Sequence, residues 1–82
     1  MIAKLKILHL EDTPDDAELI RRELKKSNIP FEVLRVDTKE DFIAALDNFS
    51  PSIIFADHTL PSFNSLEALK VLRQTGKKIP FI

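Results

Sequence analysis

Residues 52–62 read SIIFADHTLPS. Apolar and small residues run from Ile53 to Ala56 straight into Asp57, and Leu60-Pro61 then turns the chain. A run this short and this apolar has no polar face. It therefore reads as a strand, residues 52–57, covered on both sides, as strands of a helix-flanked parallel sheet are. A single carboxylate at the end of such a strand is either a turn residue or a site. In an open parallel sheet, ligands bind beyond the carboxyl ends of the strands.

The flanking segments fit that sheet. Residues 4–10 (KLKILHL) read as a first strand and residues 31–36 (FEVLRV) as a second. The second is partly alternating and rich in β-formers, so it belongs near a sheet edge. Between them lies EDTPDDAELIRRELKKSN. Thr13 suits an N-cap, Pro14 the first helical position, and Asp15, Asp16 and Glu18 the positive end of a helix dipole. Ala17, Ile20 and Leu24 make its apolar stripe. Arg21, Arg22, Lys25 and Lys26 favour its other end, and Asn28 and Pro30 stop it. A second helix opens at Thr38, with Phe42, Ala45, Leu46 and Phe49 inward, and ends at Ser50-Pro51. A third is capped by Asn64 or Ser65, turns Leu66, Leu69 and Leu72 inward, and has Gly76 just past its end. IPFI, residues 79–82, begins a fourth strand.

Strands alternating with helices over short connections imply a parallel α/β sheet. The 82 residues fit one domain with a thin core. A natural domain rarely stops midway through an apolar strand, so the chain is expected to be a fragment. The lost cover would then favour self-association through exposed apolar surfaces and a free sheet edge.

Bulk properties narrow the function. The chain is 44% hydrophobic and 30% charged, which fits a folded protein rather than a disordered one. A net charge of −1 gives no footprint for nucleic acid or an anionic membrane. The absence of cysteine excludes disulfides and thiolate zinc, and suits a reducing, cytoplasmic setting. No apolar run is long enough to span a bilayer, and the N-terminus carries no signal-peptide cleavage pattern.

Three acids lie beyond strand ends: Glu11 and Asp12 after the first strand, and Asp57 after the third. If those strands are neighbours, the three converge. Carboxylates that close repel unless a cation lies among them, and an all-oxygen site suits Mg²⁺. Asp57, ending the central strand, is the candidate nucleophile, since a carboxylate can form an aspartyl phosphate.

ILHLEDTPDD, followed at the right distance by IIFADHTLPS, resembles the receiver domain of two-component response regulators, the chemotaxis-regulator-like family. The likeness covers all 82 residues. It implies a flavodoxin-like doubly wound parallel sheet of order 2-1-3-4 here, with strand five and helices four and five absent. Residues 1–82 would be the N-terminal part of one such domain. It also implies that Asp57 accepts a phosphoryl group from a histidine kinase or a histidine phosphotransfer protein. Mg²⁺ would be held by Glu11, Asp12, Asp57 and the backbone carbonyl of Thr59. The product is a conformational switch, modified once per cycle and slowly self-hydrolysing, rather than an enzyme.

The sequence also departs from the pattern. Receivers usually carry a glycine soon after the Leu-Pro, where Ser65 stands here; a turn without it is possible because Asn64 tolerates positive φ. The Ser or Thr at the end of strand four and the Lys at the end of strand five have no counterpart in these residues. A pseudo-receiver or docking module without phosphorylation is therefore the alternative. An Mg²⁺-dependent phosphohydrolase needs a second acid two residues after its nucleophile, where Thr59 stands. An FMN-binding flavodoxin needs a phosphate-holding loop after the first strand, where acids stand. His9 and His58 read as ordinary strand and loop residues. Arg21, Arg22, Lys25 and Lys26 are explained by a solvated helix face, though a kinase could dock there. Phe63 is expected to pack or to face a partner.

Overall fold

Strand and helix alternate as the hydrophobic periods require. The computed structural model describes residues 4–57 and 63–82. The elements are β1 (Leu5–Leu10), α1 (Pro14–Lys26), β2 (Phe31–Val36), α2 (Lys39–Asn48), β3 (Ile53–Ala56) and α3 (Ser65–Thr75). The strands form one sheet of order β2-β1-β3, parallel throughout, so the mixed-polarity β2 is indeed at an edge. Leu8 pairs with Leu34 on one side and Ile54 on the other, and His9 with Arg35 and Phe55.

Side chains alternate along a strand, so this register sorts the sheet into two unlike faces. Leu8, Leu10, Val36 and Ile54 point to one face. There they meet Phe42, Ala45 and Leu46 of α2 and Ala68 and Leu72 of α3 in a single buried cluster. Phe63, just before α3, is also buried, with its ring 5.5 Å from that of Phe42. Ile7, His9 and Phe55 point the other way, toward α1, whose Ala17, Ile20 and Leu24 are only half-buried. No residue of α1 is fully buried.

The fourth strand expected over residues 79–82 does not form among the described residues. Phe81 makes an isolated parallel bridge to Ile54. Three backbone bonds hold it: Ile54 N–H to Pro80 O, Ile82 N–H to Ile54 O and Ala56 N–H to Ile82 O, each 2.9 Å. The bridge lies on the outer side of β3, since β1 occupies the inner side.

The caps follow the sequence with one exception. The Thr38 hydroxyl accepts the Asp41 N–H at 3.1 Å, and Asn64 Oδ1 accepts that of Glu67 at 2.9 Å. Gly76 closes α3 in the left-handed region, at φ 76°. Thr13 precedes α1 but makes no side-chain cap, because its hydroxyl is turned to Asp12. Asn64 does not use positive φ; it is extended at φ −80°, as an N-cap is. The non-glycine residues at positive φ, among those described, are Asn28 and Ser50, each in a connection after a helix.

Candidate functional site

β1 and β3 are direct neighbours and parallel, so both end at the same edge of the sheet. The Asp57 N–H donates to Leu10 O at 2.9 Å, and the Glu11 N–H to Val36 O at 3.0 Å. These bonds continue the ladder one residue past each strand and fix Glu11 beside Asp57. Glu11, Asp12 and Asp57 each bring a carboxylate oxygen to within 4.8 Å of the others. The three acids singled out by sequence are thus brought together. Thr59, His58 and the Leu60-Pro61 turn lie outside the described residues.

The cluster is built unevenly. Glu11 is buried, Asp57 half-buried and Asp12 exposed. Glu11 Oε1 accepts the Thr13 N–H at 3.0 Å, and Asp12 Oδ1 accepts the Thr13 hydroxyl at 3.2 Å. Thr13 thereby orders both acids before the chain turns into α1. Burial raises the Glu11 carboxyl above its usual range, and the neighbouring Asp57, Asp12 and Asp16 add to this. The Thr13 N–H opposes the rise without cancelling it. Arg35 does not neutralise the group; its guanidinium bonds the backbone oxygen of Glu11 at 3.0 Å and pairs with Asp37 at 3.6 Å.

Three close carboxylates, one of them desolvated, suit a hard divalent cation. The donors are all oxygen, and the exposed Asp12 and half-buried Asp57 leave the cluster accessible to water. Mg²⁺, which keeps part of its hydration shell, fits such a set better than Zn²⁺. His9 is not part of this ligand group.

Two members of the site were not singled out by sequence. Asp16, in the first turn of α1, lines the cleft beside Glu11 and Asp57. His9 lies at its inner end and is only 2% exposed. Its Nδ1 has no hydrogen-bond partner among the described residues, a condition that costs about 1–3 kcal/mol when it persists. Burial lowers the imidazole pKa; Asp57 pulls the other way and Arg35 reinforces the lowering. The signal was present in the sequence: His9 and Glu11 are two residues apart on one strand, and so share a face.

The chain is a parallel α/β domain whose carboxylate cluster lies beyond adjacent strand ends, where this topology places ligands, and the cluster could hold a cation. Comparison with known proteins gives one relevant likeness. Over 72 residues, 88% of its length, the chain is 35% identical to hybrid signal transduction histidine kinase C of Dictyostelium discoideum. It spans about 6% of that much longer protein. No family model matches the chain. The likeness to a histidine kinase of the hybrid type fits the receiver resemblance read from the two motifs. Among the described residues, no helix is long and apolar enough to cross a membrane.

Proposed function

We propose that the chain belongs to a phosphoacceptor receiver domain of two-component signalling, with Asp57 as the acceptor. The observation that supports this most is the convergence of Glu11, Asp12 and Asp57 at the ends of two adjacent parallel strands. A nucleophilic carboxylate beside two other acids is of little use for binding an organic anion. It is well suited to taking a phosphoryl group once its charge is balanced. In the proposed reaction an Asp57 carboxylate oxygen attacks the phosphorus of a kinase phosphohistidine. An O–P bond forms, the N–P bond breaks, and the departing imidazole keeps the electron pair and takes up a proton. Glu11, Asp12 and Asp57 would hold Mg²⁺, with the Thr59 carbonyl added by the receiver likeness. When bound, the ion supplies neutralisation of the carboxylates and of the phosphoryl oxygens.

The partner in this reading is a histidine kinase or a histidine phosphotransfer protein, in the cytoplasm. The outcome is a shift between two conformations rather than turnover of a substrate. Incubation with Mg²⁺ and acetyl phosphate, followed by intact mass measurement, tests it. The expected result is the gain of one phosphoryl group, abolished by EDTA and by Asp57→Asn. A chain that stays unmodified but still binds a cognate kinase would instead be a docking module without phosphorylation.

A further inference from the structure

The orphaned nitrogen of His9 points to a role for this residue in the site. His9 pairs with Phe55 across β1 and β3, and Asp57 follows Phe55 by two residues. His9, Glu11, Phe55 and Asp57 therefore share one face of the sheet, with His9 diagonal to Asp57. Two residues along and one strand across put their backbones about 8 Å apart, a separation that two side chains reaching toward each other could close with one bridging water. The cleft here is about 480 Å³ and is lined by Ile20 and Phe55 as well as by His9 and the acids. It is roomy enough for an ordered water, and His9, Glu11, Asp16 and Asp57 make part of its wall polar.

We propose that His9 is a positioning residue for Asp57: its Nδ1 accepts one hydrogen of an ordered water whose second hydrogen goes to the Asp57 carboxylate. Each group in that chain gains a partner. The buried nitrogen is satisfied, the water donates twice, and the carboxylate receives a hydrogen bond. The Phe55 ring stands nearly perpendicular to the imidazole, with centroids 6.5 Å apart, and packs beside it. Direct ligation of a cation by His9 is disfavoured by the geometry, since among the described residues the ligand atoms that come within 4.8 Å of one another are those of the three carboxylates. The water itself does not depend on the phosphoacceptor reading; its consequence for cation binding does.

The test uses the whole chain labelled with ¹⁵N-histidine. Without metal or phosphodonor, His9 is expected as the neutral Nε2–H tautomer. Its Nδ1 should be shielded relative to a free imine nitrogen and should move toward the free value in Asp57→Ala. An unbonded Nδ1, an Nδ1–H tautomer, or a resonance indifferent to Asp57→Ala would overturn the proposal. A second arm measures Mg²⁺ binding. His9→Phe keeps the packing and removes the acceptor; it should weaken binding about tenfold, the lower end for groups that orient ligands. His9→Asn places an acceptor oxygen where Nδ1 stands and should restore most of the loss. If both variants melt like the wild type and are equally weak, an acceptor at this position is not what orients Asp57 and the proposal fails. A wild type that binds no Mg²⁺ would count against the proposed function, while the nitrogen resonance would still decide the water.

Discussion

Glu11 is the residue on which folding and the proposed chemistry disagree. It is buried at 6% exposure among other acids, and its only direct compensation among the described residues is the Thr13 N–H. Its pKa is raised on folding. The folded chain then holds the proton more tightly than the unfolded chain. Stability accordingly falls as pH rises from the ordinary glutamate value through the raised one, and is level above it. Glu11→Gln mimics the protonated form. In metal-free buffer it should melt higher than the wild type at neutral pH, and the gap should close as the pH drops below the ordinary glutamate range. Thermal melts across that range check the sign; a variant less stable at neutral pH would mean that the carboxylate is stabilising after all. Mg²⁺ should reverse the order. Bound only by the folded chain, it would add about 2.7 kcal/mol at a hundredfold excess over its dissociation constant. Glu11→Gln, with a weaker donor set, should gain less.

At the scale of elements, caps separate what the sequence shows from what it does not. Thr13, Thr38 and Asn64 all precede helices, and sequence ranks the first two alike. The structure does not: Thr38 Oγ1 bonds the Asp41 N–H, while Thr13 is occupied with Asp12. Thr38→Ala should therefore cost about 1 kcal/mol in urea unfolding, and Thr13→Ala clearly less. Equal losses would mean that Thr13 caps α1 in solution. The third helix shows a different limit. Leu66, Leu69 and Leu72 were expected inward, yet Leu66 is 63% exposed and Ala68 is fully buried. At about 100° per residue, Leu66 and Leu72 lie roughly 120° apart and cannot both face one core. Ser65, Ala68, Leu69 and Leu72 follow the i, i+3, i+4, i+7 stripe; of these Ala68 and Leu72 are buried in the core, Ser65 and Leu69 are half-buried, and Val71 also packs against the core. Reading by size selected the leucines; reading by angle would have found Ala68. Strand positions and the acidic trio were legible because a buried strand and a strand-end carboxylate need no knowledge of partners. The depth of His9 was not, since it depends on α1 and Phe55 closing over it.

Across the whole molecule, the two faces of the sheet do not carry equal weight. The buried cluster lies wholly on the side of α2 and α3, centred on Leu8, Leu10, Ile54, Phe42 and Leu46. The side of α1 has a half-buried stripe, a polar cleft and exposed Leu19. A domain of this size has roughly 4–12 kcal/mol of stability to lose. Phe42 is completely buried and stacked at a tilt on Phe63, so Phe42→Ala should remove about 3–5 kcal/mol and leave the chain near its folding limit. Phe42→Leu, which keeps most of the volume, should cost roughly 1–2 kcal/mol and remain measurable if the alanine variant does not fold. Ile20→Ala, on the other face, should cost only about 1 kcal/mol because its side chain already meets water. The chain has no Trp or Tyr, so far-ultraviolet circular dichroism in urea is the suitable probe. If Ile20→Ala proved as costly as Phe42→Ala, α1 would be packed more tightly in solution than its half-buried stripe implies. The cleft beside His9 and Asp57 would then be narrower than the one from which the site is built. The expected inequality would suit the proposed switch: a firm layer behind the strands holds Glu11 and Asp57 in place, and a looser layer lies in front of them.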